Sequence, residues 1–402
     1  MRIALVSMHT SPSEVPGSGD AGGMNVVIAE AATALAARNH DVVVVTRASV
    51  NVPAGEYPLG EMHGQHSERR PRLIALAAGP PALAKAELPG VVETFAEGLR
   101  GLGAFEAVHA HYWLSGLAAL RAFGDRGPKF AMTFHTLAAH KNALLAPGAH
   151  PEPEERVSAE RELASASFVV AGSRSELTAV TDFSGTPGLG SAVVHPGVDT
   201  SLFRPAPQRP DCAEPLRITV LGRVQPLKGQ DLAIRAAGAL AISDPGLFAR
   251  TEWVIAGEPT PDATAYAASL HTLADELGVT DRVRFLPAQS RTKAAALLAS
   301  SAVVLVPSHS ETFGLTALEA ASCGVPVIAA GHTGLLEAVP AGAGAIHVAG
   351  RDPNAWSSWI ADLLRDPARR ASLGAAGRHH AHAHDWRAHA ASLESVYARL
   401  TT

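Results

Sequence analysis

The sequence predicts an α/β protein of two Rossmann-like, doubly wound parallel sheets that face one another across a cleft. Three observations carry that expectation. Short Val/Ile/Leu runs recur without the apolar–polar alternation of a half-solvated strand, as a sheet covered on both faces requires. Alanine-rich stretches with helical spacing separate most of them. The rhythm restarts after the proline-rich Pro205-Ala-Pro207-Gln-Arg-Pro210, and 402 residues suffice for two or three domains of about 150 residues each.

The elements follow in order. Residues 2–7 (RIALVS) and 41–47 (DVVVVTR) read as strands around a helix over 25–38, and 73–77, 107–110, 129–134 and 168–171 as later strands of the same sheet. After the linker, placed at 195–212, residues 216–221 (LRITVL) open a second sheet, followed by a helix over 230–241. Strands over 252–256, 283–286, 302–306 and 325–329 complete it, and the chain ends in one histidine-rich helix over 366–400. The expected division is one Rossmann-like unit over 1–200 and a second over 201–380. Residues 381–402 would form a helix that crosses back to the first unit. Open α/β sheets bind ligands at the carboxyl ends of their strands, so two facing units direct a ligand into the cleft.

Composition narrows the function classes. With 47% apolar and 18% charged residues the chain builds large cores and is not disordered. A net charge of -5 argues against a broad nucleic-acid surface, while leaving room for a local basic pocket. Two cysteines, Cys212 and Cys323, imply no disulfide framework and a reducing compartment; they read as small buried apolar residues. The apolar start is too short for a signal peptide, and no uncharged stretch reaches the ~20 residues of a membrane helix, so a soluble cytoplasmic protein is expected.

Gly17-Ser-Gly19-Asp-Ala-Gly22 matches G-x-G-x-x-G. A dinucleotide loop, however, needs its first glycine directly after the strand, and here nine residues intervene. The second strand also ends in Thr46-Arg47 rather than the acidic residue a ribose would need. Gly22-Gly23 lies just before a helix instead, where backbone N–H groups attract phosphate. A bland glycine cap would explain this loop if it stood alone.

The second half adds a constellation. Gly222-Arg223-Val-Gln-Pro-Leu-Lys228-Gly229 places two cations five residues apart after a strand, suited to neutralising a diphosphate leaving group. Glu311-Thr-Phe-Gly-Leu-Thr-Ala-Leu-Glu319 follows the strand over 302–306, with Glu311 expected in the loop and Phe313-Gly314 opening the helix. Eight residues at about 100° each overshoot two helical turns by only about 80°, so both carboxylates are expected on nearly one face, placed to accept hydroxyls of one elongated ligand.

These pieces resemble the family 4 retaining glycosyltransferases of the two-domain GT-B fold, along nearly the whole chain. The resemblance is closest to the D-inositol 3-phosphate N-acetylglucosaminyltransferases that begin mycothiol synthesis. SMHTSP, PGSGDAGGMNV, AAGP with LAKAELP, HYWLSG, HTLAAHKN and PEPEER carry it. It implies that Gly23 binds the donor diphosphate through its backbone, with Val15 and Pro16 nearby, and that Arg223 and Lys228 hold that diphosphate. Glu311 would bind donor-sugar hydroxyls, Glu319 the ribose, and His135 would lie beside the sugar. His9 and Asp20, Ala21, Gly22, Gly23, Met24 and Asn25 would border the acceptor, with Lys85, Tyr112, Thr136 and Arg156 on its phosphate. Lysine, arginine and two hydroxyls from separate segments suit a phosphomonoester, although one surface charge network would also explain Lys85 and Arg156. Retention with no second catalytic carboxylate implies a front-face reaction in which the leaving phosphate takes the acceptor proton. No cofactor or metal is then demanded. The partners are a nucleotide-sugar donor and a small anionic acceptor, with no nucleic acid or membrane, and the family suggests a homodimer.

The sequence also departs from that pattern. Gln289 stands where the family carries an arginine near uracil, and HTGLLE replaces VGGLPE. AGAGAIHV and GSRSELTAVTDFSG diverge too. These changes gather at the donor. UDP-N-acetylglucosamine onto 1D-myo-inositol 3-phosphate is the expected reaction. A natural-product paralogue with a GDP-sugar and a thiol or carboxylate acceptor is the alternative, and a non-catalytic phosphosugar-binding protein is the alternative of another class. His380 and His384 stand at i, i+4 spacing, which fits an exposed helical face better than a metal site.

Overall fold

The computed structural model describes residues 1–59, 70–124, 127–143, 145, 150–206 and 214–401. The last part of the proline-rich linker, residues 207–212 with Cys212, lies outside them. The first sheet contains β1 (Arg2–Ser7), β2 (Asp41–Arg47), β3 (Gly55–Pro58), β4 (Arg72–Leu76), β5 (Ala107–His111), β6 (Phe130–Thr133), β7 (Phe168–Ala171) and β8 (Ser191–Val193). Its order is β3-β4-β2-β1-β5-β6-β7-β8, parallel except for the β3–β4 pair. The second sheet contains β9 (Leu216–Leu221), β10 (Thr251–Ala256), β11 (Val283–Leu286), β12 (Val303–Val306), β13 (Val327–Ala330) and β14 (Ala345–Val348), ordered β11-β10-β9-β12-β13-β14.

The central strands are buried on both faces because both faces carry helices. Ile3, Leu5, Val42 and Val44 pack on one side of the first sheet with Ile28 and Leu35 of the helix Gly23–Ala37, while Val6, Val43 and Val45 pack on the other with Phe95 and Leu99. Three strands were not anticipated. β3 is an exposed edge strand ending in Pro58, where a missing N–H is tolerated. β8 and β14 have three and four residues and only partial burial, so no continuous apolar run marks them.

The tail corrects one expectation. Residues 366–400 form two helices, Pro367–His382 and Trp386–Leu400. Asp385 breaks the run: its carboxylate accepts from the Ala388 N–H at 2.7 Å as an N-cap, and its backbone bridges Val198. The break lets the last helix lie against the first sheet's layer, with Trp386, Leu393, Val396 and Tyr397 in the same apolar cluster as Ile3 and Leu35. Arg38 and His40 both bond Glu394, at 2.6 and 2.7 Å. His380 and His384 are half-buried rather than exposed, with His380 Nε2 3.0 Å from the Ala338 carbonyl.

β5 carries a polar interior. The buried His109 lies 2.9 Å from both the Tyr397 hydroxyl and Thr133 Oγ1. Burial holds its imidazole down at about 3 and that of His389 at about 4. Both are neutral in the folded chain, whereas the unfolded chain protonates them near about 6.5. Their contribution to stability is therefore full above about pH 6.5 and is lost as pH falls towards 3–4. The melting temperature is expected to be level from pH 8 to 7 and to decline below about 6.5. His109→Gln, which keeps a hydrogen-bonding amide and cannot titrate, should decline less steeply; a slope equal to wild type would assign the acid sensitivity elsewhere.

Candidate active site

The two sheets present their carboxyl ends to one cavity of about 370 Å³, lined from both halves. Of the four non-glycine residues with positive φ among the described residues, Tyr112 (75°), His135 (61°) and Thr333 (55°) line it. Tyr112 follows β5 directly and His135 comes two residues after β6, where the chain turns from strand into the cavity wall. Each such conformation costs on the order of 1–3 kcal/mol, and such strain clusters at functional sites.

The second half supplies one wall. Lys228 ends a single 3₁₀ turn, Pro226–Lys228. Gly229 follows at φ 67°, where a Cβ would meet the Pro307 carbonyl oxygen at 2.3 Å, so glycine is required for the turn to pass β12. Lys228 Nζ lies 2.6 Å from Glu311 Oε1, which also accepts from Ser308 Oγ at 2.8 Å. The Glu311 backbone N–H donates to Thr333 Oγ1 at 3.1 Å, fixing the loop. Arg223 reaches across the cleft to within 3.4 Å of the Asp20 carbonyl, and burial pushes its guanidinium below its ordinary value. Gly22 faces it closely: a Cβ there would lie 3.1 Å from Arg223 Nε.

The helical-face argument for the two glutamates does not hold. Glu311 lies in the loop and Gly314 caps the helix Leu315–Ser322, as expected, so the eight residues are not all helical and the two side chains reach the cavity from a loop and from a helix. Glu319 is buried and bonded to Arg291.

The first half supplies the facing wall. Arg156 is buried and fully engaged: Nε lies 2.7 Å from Glu160, Nη1 2.8 Å from Glu152, and Nη2 bonds the Thr136 carbonyl and hydroxyl at 2.8 and 2.9 Å. Its guanidinium lies 4.6 Å over the Tyr112 ring, which the His9 ring approaches at 4.1 Å. Lys85 pairs with Asp20 at 2.9 Å. The two cations thus have separate carboxylate partners. Met24 lines the cavity, as does Asn25, whose buried amide is spent on the loop: it accepts from Gly22 N–H at 2.9 Å and donates to Thr10 and Ser11. Gly23, Pro16 and Gln289 line it as well, and Gln289 Nε2 donates to the Pro287 carbonyl at 2.7 Å. Val15 and Ala21 do not line it; Val15 is exposed and Ala21 is buried.

Sequence reasoning missed Lys141, His111, Glu176 and Arg291 among the residues of this cavity. Lys141 pairs with Glu152. His111 Nδ1 sits 2.9 Å from His135 Nε2. Glu176 accepts from Gly172 N–H at 2.6 Å, and its own N–H donates at 3.0 Å to the hydroxyl of Ser173, the N-cap of the helix Arg174–Ser184. Burial pushes the Glu176 carboxyl up to about 7. The fourth is Arg291. Several bonds join the halves directly: Ser173 Oγ donates to the Thr312 carbonyl at 2.6 Å, and the Arg174 and Ser175 N–H groups donate to Glu337 at 2.9 and 3.0 Å. The cleft is closed. Among the described residues, no group of three or more His, Cys, Asp or Glu is arranged to hold a metal ion, and no helix is long and apolar enough to cross a membrane.

Two doubly wound units closed on one cavity are the architecture of GT-B glycosyltransferases, and comparison with known proteins agrees. Residues 21–202 match the family model "Glycosyltransferase Family 4", and residues 208–380 match "Glycosyl transferases group 1". A sucrose-phosphate synthase from Thermosynechococcus elongatus superposes with a TM-score of 0.87 at 27% identity, covering 100% of this chain and 99% of that one. The Anabaena protein HepE, solved with UDP-glucose, shares the fold with a TM-score of 0.75 at 18% identity over 99% of both chains. A D-inositol 3-phosphate glycosyltransferase of Salinispora arenicola is 40% identical, covering 98% of this chain and 91% of its own. Its counterpart from Thermobispora bispora is 38% identical over 98% and 94%. The chain belongs to the glycosyltransferase family that contains these D-inositol 3-phosphate enzymes.

Proposed function

We propose that this glycosyltransferase moves N-acetylglucosamine, with retention, from UDP-N-acetylglucosamine to 1D-myo-inositol 3-phosphate. The observation that carries the reading is the pairing of two walls on one cavity. Arg223, Lys228 and Glu311 face Lys85, Tyr112, Thr136 and Arg156. The names of the similar enzymes support the acceptor, and the UDP-glucose held by HepE is consistent with a nucleotide-sugar donor. Arg223 and Lys228 offset charge on the departing diphosphate, so no metal or other cofactor is called on, and the leaving phosphate takes the proton of the attacking hydroxyl. Glu311 receives donor-sugar hydroxyls, Glu319 the ribose, and His135 borders the sugar. On the other wall the cations Lys85, Lys141 and Arg156 already face the carboxylates Asp20, Glu152 and Glu160. An incoming phosphate replaces Asp20 as the partner of Lys85, whose side chain is 46% exposed and free to swing. A second reading, a paralogue using another donor, is favoured by Gln289, which bonds its own loop in place of an arginine side chain.

The test is a melting-temperature panel with UDP, GDP, ADP and TDP, followed by product analysis with inositol 3-phosphate and with inositol. A ligand at 100 times its Kd adds about 2.7 kcal/mol to the native state, so the matching nucleotide stands out. UDP should stabilise most, inositol without phosphate should react poorly, and Lys85→Ala should raise the acceptor KM about tenfold with kcat little changed. Stabilisation by GDP and not UDP overturns the donor, and equal use of both acceptors overturns the phosphate clamp.

A further inference from the structure

We infer that Arg291 is a positioning residue that ties recognition of the donor ribose to closure of the cleft. The inference rests on the reading that Glu319 receives the ribose hydroxyls. Arg291 opens the helix Arg291–Ala299, and its guanidinium makes three contacts on three parts of the molecule. Nη1 bonds Glu319 Oε1 on the helix Leu315–Ser322 of the second half. Nη2 lies 3.5 Å from Glu30 Oε1 on the helix Gly23–Ala37 of the first half. The plane stacks 4.6 Å over Phe203 of the linker segment, whose side chain packs into the core of the second half. Arg291 and Glu319 line the cavity, with side-chain exposures of 24% and 8%.

This geometry has two consequences. Arg291 occupies one oxygen of Glu319 and fixes its orientation, leaving Oε2 to accept from a diol. Charge-assisted bonds of this kind are strong and directional, and a rigid planar fork holds two carboxylates in one fixed geometry, which the rotatable donors of an ammonium do not. Glu30 belongs to the other half of the molecule, so it engages the fork only when the halves are together. Glu319 is therefore held best in the closed form, and whatever binds to the held Glu319 favours closure in return, because coupling between two equilibria is reciprocal. Glu30 and Glu319 would also meet as two carboxylates without the cation between them, and burial already pushes the Glu30 carboxyl up.

The test compares wild type with E30Q, R291K, R291Q and E30Q/R291Q. Steady-state constants are measured for donor and acceptor. The melting-temperature rise is measured with the nucleotide that stabilises most in the panel above and with its 2′,3′-dideoxy analogue. R291Q is expected to raise the donor KM about 10- to 100-fold with kcat within about threefold and acceptor KM unchanged. E30Q should raise donor KM about two- to fivefold, R291K should fall between, and E30Q should add little once Arg291 is gone. Preference for the ribonucleotide over its dideoxy analogue should shrink in R291Q. A wild type that does not discriminate between the two removes the ribose role of Glu319, and the inference falls with it. A wild type that discriminates, with R291Q and E30Q discriminating equally well, overturns the inference alone. So does an R291Q protein whose kcat and both KM values worsen together with its melting temperature.

Discussion

Glu311→Gln is expected to lower kcat/KM by about 10³-fold while leaving the melting temperature within a few degrees of wild type, measured by initial rates and by thermal unfolding. The expected loss is large because the carboxylate has two tasks in the proposed reaction. It accepts hydroxyls of the transferred sugar, and it places Lys228 Nζ, 2.6 Å away, where the leaving phosphate develops charge. Glutamine keeps the volume and one acceptor oxygen but presents an amide to the lysine. The cost to folding is small because the pair is partly solvated, with side-chain exposures of 23% and 16%, and such pairs contribute about 1 kcal/mol or less. The loop is held independently by the Glu311 N–H on Thr333 and the Gly334 N–H on the Glu311 carbonyl, 3.1 and 3.0 Å, neither of which uses the side chain. Full activity would remove Glu311 from the site. A folding loss as large as the activity loss would make its role structural.

The same residues show what the sequence could and could not convey. Continuous β-branched runs such as 41–47 and 216–221 marked their strands to the residue, because burial on both faces leaves no other use for such a composition. β8 and β14 are short sheet-end strands whose partners are set by the rest of the sheet, so local pattern carries little of their information. The break at Asp385 was hidden for a similar reason: alanine, histidine and arginine on both sides suit helix, and only the bridge to Val198 shows that the chain must turn. Within the site, motif residues near strand ends were legible. Lys141 and Arg291 were not, because a cation's role depends on which carboxylate the fold brings to it, Glu152 in one case and Glu319 with Glu30 in the other. The spacing of Glu311 and Glu319 misled because it was counted through a helix that begins only at Leu315.

Arg223→Met is expected to abolish the nucleotide-induced rise in melting temperature and to reduce turnover by about 10³-fold, yet not to lower the melting temperature of the free protein. The two cations of this wall differ in their electrostatic compensation. Lys228 has a carboxylate partner, whereas Arg223 makes no ion pair among the described residues; its guanidinium bonds only the Asp20 carbonyl, at 3.4 Å. A half-buried cation without a counterion costs free energy that the folded protein bears until an anion arrives. Burial accordingly pushes Arg223 below its ordinary value despite Asp20, Glu311 and Asp262 nearby. Methionine fills similar space and carries no such cost, so the free protein should be as stable as wild type or more so, a trade of stability for function that active sites commonly show. Lys228→Met makes the contrast. It strands Glu311 without its cation, so it should lower both turnover and stability. Measuring the free and nucleotide-bound melting temperatures of both variants separates the cases. If Arg223→Met melts several degrees lower without ligand, or still responds to nucleotide, then Arg223 is part of the scaffold and the diphosphate site lies elsewhere in the cleft.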